Sequence, residues 1–177
     1  MTITEYAEFA QRTASTKTRE EKIGHGCLGL IGEAGEVIDI VKKQRYMNMP
    51  YETAQNKLID EIGDCLWYWV ELCTGLGFNI EHAYLLAQNM DPFCENIIEP
   101  VSNIISTVCD GFWDDSAQMA REYFDIEDMA EIFANIMYLL DFCHISLDDV
   151  KEHNIDKLKK RYPDGFSADR SNRRYEQ

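Results

Sequence analysis

The chain has 177 residues, of which 45% are hydrophobic, and a formal net charge of −15. This length suffices for one compact domain or two small ones packed together, and the composition excludes a disordered chain. The strongly acidic balance argues against nucleic acid as a partner, because it repels phosphate backbones. A small nucleotide remains compatible, since a bound divalent cation reverses the local field.

Six cysteines are spread along the chain without a CxxC pair. Zinc and a disulfide framework are therefore not expected, and a reducing compartment fits better. The N-terminal segment MTITEYAEF lacks the basic and apolar regions of a signal peptide. No apolar run approaches the ~20 residues that span a bilayer. These features predict a cytoplasmic protein with no membrane partner.

Helix formers dominate and the β-hairpin signal is absent, so the sequence predicts an all-α fold. Taken in chain order, the predicted helices are 2–13, 19–44, 52–76, 80–90, 102–124, 126–143 and 147–161. The predicted N-caps are Thr2, Asn79, Asp125 and Ser146, and the third helix ends at Gly75 and Gly77. Residues 91–101 form a connector with two prolines. The tail from 163 is polar and expected to be loose in part.

Four carboxylates border the apolar faces of the second and third predicted helices. Glu33 and Glu36 are three residues apart, as are Glu61 and Asp64, which places each pair within about 5–6 Å on one helix edge. Packing the two apolar faces together would crowd all four into a partly desolvated space, where a hard divalent cation such as magnesium would neutralise them. The spacing alone is weak, since two solvated helix edges would give the same pattern.

Other side chains on the third helix are placed by the same projection. Tyr68 lies between Glu61 and Asp64 in angle, and Lys57 shares their strip one turn earlier. Asp60 and Glu71 are expected to project more outward.

Five glycines fall within twelve residues of the second predicted helix, at positions 24, 26, 29, 32 and 35. Each costs about 1 kcal/mol relative to alanine in a helix interior. A sequence that keeps them gains close helix packing or room for a ligand, unless the segment is not fully helical.

A weak internal repeat relates DEIGDCLWYWVELC (60–73) to AEIFANIMYLLDFC (130–143). The matched pairs are Glu61 with Glu131, Ile62 with Ile132, Tyr68 with Tyr138, and Cys73 with Cys143. The alternative is chance similarity between two amphipathic helices.

Three segments together resemble the MazG-like nucleotide pyrophosphohydrolases of the all-α NTP pyrophosphatase superfamily. These are HGCLGLIGEAGEVIDIVKKQ (25–44), DEIGDCLWYWVELC (60–73) and SLDDVKEHNIDKLKKRYPDGFS (146–167). The resemblance implies a MazG-like helical bundle that hydrolyses a nucleoside triphosphate to the monophosphate and pyrophosphate. It also implies magnesium, or manganese as a substitute, on Glu33, Glu36, Glu61 and Asp64.

The same resemblance suggests residues that contact substrate. Tyr68 matches a position that lines the nucleotide pocket, and Asn154, Lys157 and Arg161 match a last helix that contacts phosphates. Lys57 is a further substrate-binding candidate on the carboxylate strip. For the basic residues, the alternative is a solvated helix end with a favourable dipole contact.

The chain departs from the short family pattern by about seventy residues between the third helix and the RYPDGFS helix. We predict a catalytic half (1–90) and a degenerate repeat half (91–177), which pack as one domain or two. In the second half, Ala134 replaces the aspartate, and Asp115 and Gln118 align with the first carboxylate pair. That half is expected to lack a metal site. It would replace the partner subunit in a monomer; the alternative assembly is a homodimer.

For the chemistry, we expect Glu36 to position or deprotonate the attacking water, with Glu33 the next candidate. Two functional alternatives stay open: an enzyme narrowed to dUTP or dCTP, and a catalytically silent nucleotide-binding scaffold. A ferritin-like di-iron bundle is disfavoured because no histidine follows a glutamate by three residues. The four histidines, including His25, are expected to be ordinary core or surface residues.

Overall fold

The computed structural model describes residues 1–92, 94–112 and 123–166. Regular structure in these ranges is entirely helical, which confirms the predicted all-α fold. The helices are α1 (Ile3–Gln11), α2 (Arg19–Tyr46), α3 (Tyr51–Leu76), α4 (Ile80–Ala87), α5 (Ile98–Gly111), α6 (Ile126–Cys143) and α7 (Leu147–Arg161).

The helix boundaries follow the sequence signals closely, with one clear exception. Helices α6 and α7 match their predicted ranges residue for residue. Helix α5 begins at Ile98 instead of Ser102, because Pro100 falls in its first turn, where a missing N–H costs little. This helix ends at Gly111, and the predicted continuation over 113–122 lies outside the described residues.

The predicted caps are present. Thr2 forms a capping box with Glu5, and Asn79, Asp125 and Ser146 each accept a hydrogen bond from the backbone N–H three residues later. Helix α3 ends at Gly77, whose φ of 82° is the left-handed conformation that favours glycine.

Helices α2 and α3 form an antiparallel pair at the centre of the fold. Their contacts run in opposite directions along the chain, since Gly26 faces Leu72, Gly29 faces Tyr68 and Gly75 faces Ile23. The apolar faces predicted for this pair are buried except for the half-buried Ile38; the buried residues are Leu30, Ala34, Val37, Ile40, Val41, Leu58, Ile62, Cys65, Leu66, Trp69, Leu72 and Cys73.

The glycines of α2 serve two different purposes. A Cβ at Gly26 would lie 2.9 Å from Leu72 Cβ, and one at Gly29 would lie 2.2 Å from the Tyr68 ring. Gly32 and Gly35 have nothing within 4 Å of a built Cβ. Because α2 is helical throughout, the alternative of a non-helical segment is wrong. Close packing therefore explains the first two glycines, and the other two face open space.

The second half of the chain packs directly onto the first. Trp69 of α3 is fully buried; its indole N–H donates to the Met129 carbonyl at 2.8 Å, and its ring lies 4.6 Å from the Phe133 ring. The repeat partners share burial, since Ile62 and Ile132 are both inaccessible to solvent. The division into halves at residue 90 stays a prediction.

Two shorter helices complete the surroundings of α3. Helix α7 crosses it so closely that a Cβ at Gly63 would lie 3.2 Å from Asn154 Cβ. The segment after α7 returns to the end of α1, where the Phe166 N–H donates to the Arg12 carbonyl at 3.2 Å. The tail up to Phe166 is thus docked, and residues 167–177 lie outside the described part.

Within the described ranges, no single helix is long and apolar enough to cross a membrane. Helices α6 and α7 taken together have that length and apolar composition, but the chain bends by 101° between them.

The glycine contacts predict opposite effects for two alanine substitutions on one helix. Gly26→Ala should lower the free energy of unfolding by about 1–3 kcal/mol, because the new methyl group overlaps Leu72. Gly32→Ala should raise it by about 1 kcal/mol, because the site is open and alanine favours the helix. Urea denaturation followed by circular dichroism measures both. A loss of stability in both variants would contradict the assigned packing.

Candidate metal and nucleotide site

Three of the four predicted carboxylates converge between α2 and α3. Glu33, Glu61 and Asp64 each offer an oxygen, and these oxygens all lie within 4.8 Å of one another. Each side chain is half-buried. The antiparallel pairing of α2 and α3 produces this carboxylate triad, because it brings one residue of the first helix opposite a pair on the second.

Crowding of negative charge dominates the electrostatics of the carboxylate triad. Burial, Asp64 and Glu61 together raise the pKa of Glu33 to about 7. Burial and Asp64 also raise the pKa of Glu61 above its ordinary value. Lys157, which pairs with Asp64, opposes these shifts but does not cancel them, so the protein alone compensates the charge of the cluster only in part. A cluster of carboxylate oxygens suits a hard divalent cation such as magnesium or manganese.

Glu36 lies beside the carboxylate triad and not within it. Its side chain is exposed, and its charge contributes to the raised pKa of Glu61. Its predicted role as a metal ligand stays a prediction. The position leaves its carboxylate open to solvent at the edge of the cluster.

Asp64 is held in place by α7 and α1. Its Oδ1 accepts a hydrogen bond from the Asn154 amide at 3.0 Å. The same oxygen forms an ion pair with the Lys157 ammonium at 2.8 Å. The Tyr6 hydroxyl donates to Asn154 Oδ1 at 2.9 Å. Asn154 is fully buried. Its placement favours an orienting role towards Asp64 over the phosphate contact that the resemblance implies.

Lys157 joins the carboxylate triad to the outward-facing Asp60. Its ammonium lies 3.3 Å from Asp60 Oδ1, which also contacts His153 at 2.9 Å. Burial raises the pKa of Asp60, but the His153 and Lys157 contacts outweigh it and bring the pKa below the usual value. Asp60 is 39% exposed, in agreement with its predicted outward position.

A cavity of about 220 Å³ adjoins the carboxylate triad. Its lining residues are Thr13, Ser15, His25, Glu33, Asp64, Trp67, Tyr68, Leu158, Arg161, Tyr162 and Phe166. The cavity lies below the range of about 300–1,000 Å³ typical of whole-ligand pockets. Its size and aromatic walls suit one part of a nucleotide.

Of the remaining predicted substrate residues, two line the cavity and one does not. Tyr68 lines the cavity, with its ring 5.0 Å from Trp67 and 5.2 Å from His25. Arg161 also lines it, at the exposed end of α7. Lys57 is exposed one turn before Glu61 and is not among the lining residues.

The expectation that Glu71 projects outward is wrong. Its side chain is 0% exposed, because residues 12–18 cover this strip of α3 and Thr16 donates a hydrogen bond to Glu71 Oε1 at 2.5 Å. The same segment covers Trp67, whose indole N–H donates to Thr13 Oγ1 at 3.1 Å. A projection of two helices does not include a covering loop.

His25 is a cavity residue that the sequence reasoning missed. Its Nδ1 lies 2.5 Å from Glu71 Oε2, and its ring lines the cavity. One signal was available: Glu71 follows Asp64 by seven residues, which places both acids on the same strip of α3.

The corresponding positions of the second half carry less charge. Glu131 is exposed and Ala134 is buried, and Asp115 and Gln118 lie outside the described residues. The absence of a metal site in this half stays a prediction.

The helix pair with its facing carboxylates defines an all-α protein of the MazG-like fold. Residues 26–89 match the family model of the MazG nucleotide pyrophosphohydrolase domain. This segment contains all four predicted carboxylates, and over it the chain is similar to that family. No curated protein and no solved structure matches the chain.

The crowded carboxylates predict how stability depends on pH without divalent cations. Because the pKa of Glu33 rises from 4.5 to about 7 on folding, the folded state binds more protons between these values, and stability falls as the pH rises through this window. Glu33→Gln removes this charge and should therefore raise the free energy of unfolding by about 1 kcal/mol at pH 8 in EDTA, a figure that allows for solvent screening. In a chain of this size that gain corresponds to a rise in Tm of about 2–4 °C.

The measurement is a thermal melt at pH 4.5 and at pH 8, with Glu152→Gln, an exposed position on α7, as the matched control. The gain at pH 8 should shrink at pH 4.5, where Glu33 is protonated in the folded state and about half protonated in the unfolded chain. A variant that is less stable than wild type at pH 8 would contradict the repulsion.

Proposed function

We propose that this protein hydrolyses a nucleoside triphosphate to the monophosphate and pyrophosphate with the help of magnesium. The observation that carries the proposal is the carboxylate triad, half-buried and beside an aromatic cavity, within the segment that matches the family model. Neither the carboxylate triad nor the aromatic cavity would suffice alone, since acidic helix edges and surface cavities are each common.

The metal fits the chemistry of the residues present. Glu33, Glu61 and Asp64 would hold it, because their oxygens converge and Lys157 compensates their negative charge only in part. A bound magnesium ion would neutralise charge on the triphosphate as the phosphoanhydride bond breaks. Asn154 and Tyr6 keep Asp64 in position through their hydrogen bonds, which preserves the geometry of the ligand set.

The protein side chains divide the remaining work. Glu36, open to solvent at the edge of the carboxylate triad, orients and deprotonates the attacking water. Lys157 and Arg161 supply positive charge to the phosphates from α7, and Lys57 supplies it from the start of α3. The rings of Tyr68 and Trp67 contact the nucleoside inside the cavity.

Two conservative substitutions separate metal binding from turnover. Glu61→Gln should abolish both magnesium-dependent pyrophosphate release and the rise in Tm that magnesium gives the wild type, because it removes a ligand. Glu36→Gln should keep most of that rise but lower kcat by about 10²–10⁴-fold, the usual contribution of a general base.

The assay measures pyrophosphate release from a panel of NTPs and dNTPs, with and without magnesium, and Glu152→Gln again serves as the control. Normal turnover in Glu36→Gln would reject its role as base. No release from any nucleotide by folded wild-type protein, together with magnesium-dependent nucleotide binding, would favour the silent scaffold instead.

We also propose that the protein is a monomer in which the second half takes the place of a partner subunit. The support is the buried contact of Trp69 with α6 at Phe133 and Met129, which covers α3 within one chain. Light scattering coupled to size exclusion should give a mass near 20.5 kDa. Twice that mass at micromolar concentration would favour the homodimer.

A further inference from the structure

Glu71 is a buried carboxylate that the proposed chemistry does not use. Its side chain has no solvent exposure, and both oxygens are engaged: Oε1 accepts from the Thr16 hydroxyl and Oε2 contacts His25 Nδ1, each at 2.5 Å. Lys22 is one step removed from Glu71, since its ammonium donates to Thr16 Oγ1 at 3.4 Å and to Gln11 Oε1. His25 is therefore the direct partner of the buried acid.

The buried position of Glu71 restricts the protons that the pair can hold. An ionised carboxylate in this position is costly unless a cation compensates it directly. The pair has three possible forms. In two of them, a carboxylate with an imidazolium and a carboxylic acid that donates to a neutral imidazole at Nδ1, the other ring nitrogen, Nε2, carries a hydrogen. In the third, a neutral imidazole donates from Nδ1 to the carboxylate and Nε2 is bare, but the buried charge then has no cation beside it. Burial therefore favours the two forms in which Nε2 is a hydrogen-bond donor.

The exposed part of His25 belongs to the cavity. Its side chain is 41% exposed, and since Nδ1 faces the buried Glu71, the accessible edge is the one that carries Nε2. The His25 ring packs edge-on against two aromatic rings. Its centroid lies 6.0 Å from that of Trp67, with 90° between the ring planes, and 5.2 Å from that of Tyr68, with 67° between the planes. A hydrogen-bond donor fixed among aromatic rings is the arrangement that recognises the edge of a stacked base.

We propose that His25, oriented by Glu71, determines base specificity by donating a hydrogen bond from Nε2 to a carbonyl oxygen of the substrate base. Uracil, thymine, cytosine and guanine carry such an oxygen on the base edge, and adenine does not. Triphosphates of carbonyl-bearing bases are therefore preferred over those of adenine. This inference rests on the proposed function, because it places the base in the cavity beside the carboxylate triad.

The first experiment compares kcat/KM for dUTP, dCTP, dGTP and dATP in wild type and His25→Phe. Wild type should favour the carbonyl-bearing bases by about 10- to 100-fold, the usual effect of a hydrogen bond with a charged partner. His25→Phe should lower kcat/KM for these substrates by a similar factor and change that for dATP less than 3-fold. His82→Phe, the same change at an exposed position on α4, should leave all four values unaltered.

Glu71 is a positioning residue, so its variant needs a readout beyond stability. Glu71→Gln should reduce the preference for dUTP over dATP, and nitrogen-15 spectra should show Nε2 of His25 protonated in wild type. His25→Gln, which keeps an N–H donor, should retain part of the preference. A uniform loss across all four nucleotides in His25→Phe, or an unprotonated Nε2, would overturn the inference, the former by indicating a phosphate contact.

Binding of dUMP and dAMP by calorimetry separates this inference from the proposed function. If wild type releases no pyrophosphate yet binds dUMP more tightly than dAMP, and His25→Phe removes the difference, the recognition stands and the hydrolase does not. Equal affinities for dUMP and dAMP, or the same difference in His25→Phe, would overturn the recognition whatever the turnover.

Discussion

The structure depends on one electrostatic constraint: three carboxylates share a half-buried space between α2 and α3. Such a cluster opposes folding of the protein by itself, because charges of one sign repel in a medium that screens them poorly. The surrounding packing offsets this cost. Glycines at positions 26 and 29 let the two helices approach closely, and the apolar faces on either side of the cluster are buried. The stability of the core thus sustains a site that is unfavourable without its counter-ion.

Much of this arrangement could be predicted from sequence because it is periodic. The helix ranges, their caps and the shared edge of Glu33, Glu61 and Asp64 follow from local patterns that recur every three to four residues. Asn154 and Lys157 came from resemblance, and the structure gives the first of them a different position, buried against Asp64. A wheel projection of α3 does not contain α7, so it cannot tell a side chain that supports a ligand from one that contacts substrate.

Glu71 shows where periodic reasoning fails. Its angle on α3 lies beside that of Asp64, at the edge of the face that α2 covers, and the projection therefore places it more outward. The irregular segment between α1 and α2 covers it instead, through Thr16. Loops of this kind have no period, and their path depends on contacts that only the folded chain makes. Of the missed pair, His25 lines the cavity, where specificity would be determined, and Glu71 is buried behind it. The predictable carboxylates lie where the bond would be broken.

The two parts of the site also differ in the chain topology that builds them. Glu33, Glu61 and Asp64 belong to one helical hairpin, so a short loop closes the contact between them. The cavity wall joins the segment after α1 to the segment after α7, as in the hydrogen bond from Phe166 to Arg12. The two helices themselves are joined by the hydrogen bond between Tyr6 and Asn154, which are 148 residues apart. Bringing such distant segments together costs more chain entropy. The wall is therefore expected to close late in folding and to open by local unfolding before the hairpin does, which would let a nucleotide enter or leave without disturbing the carboxylates.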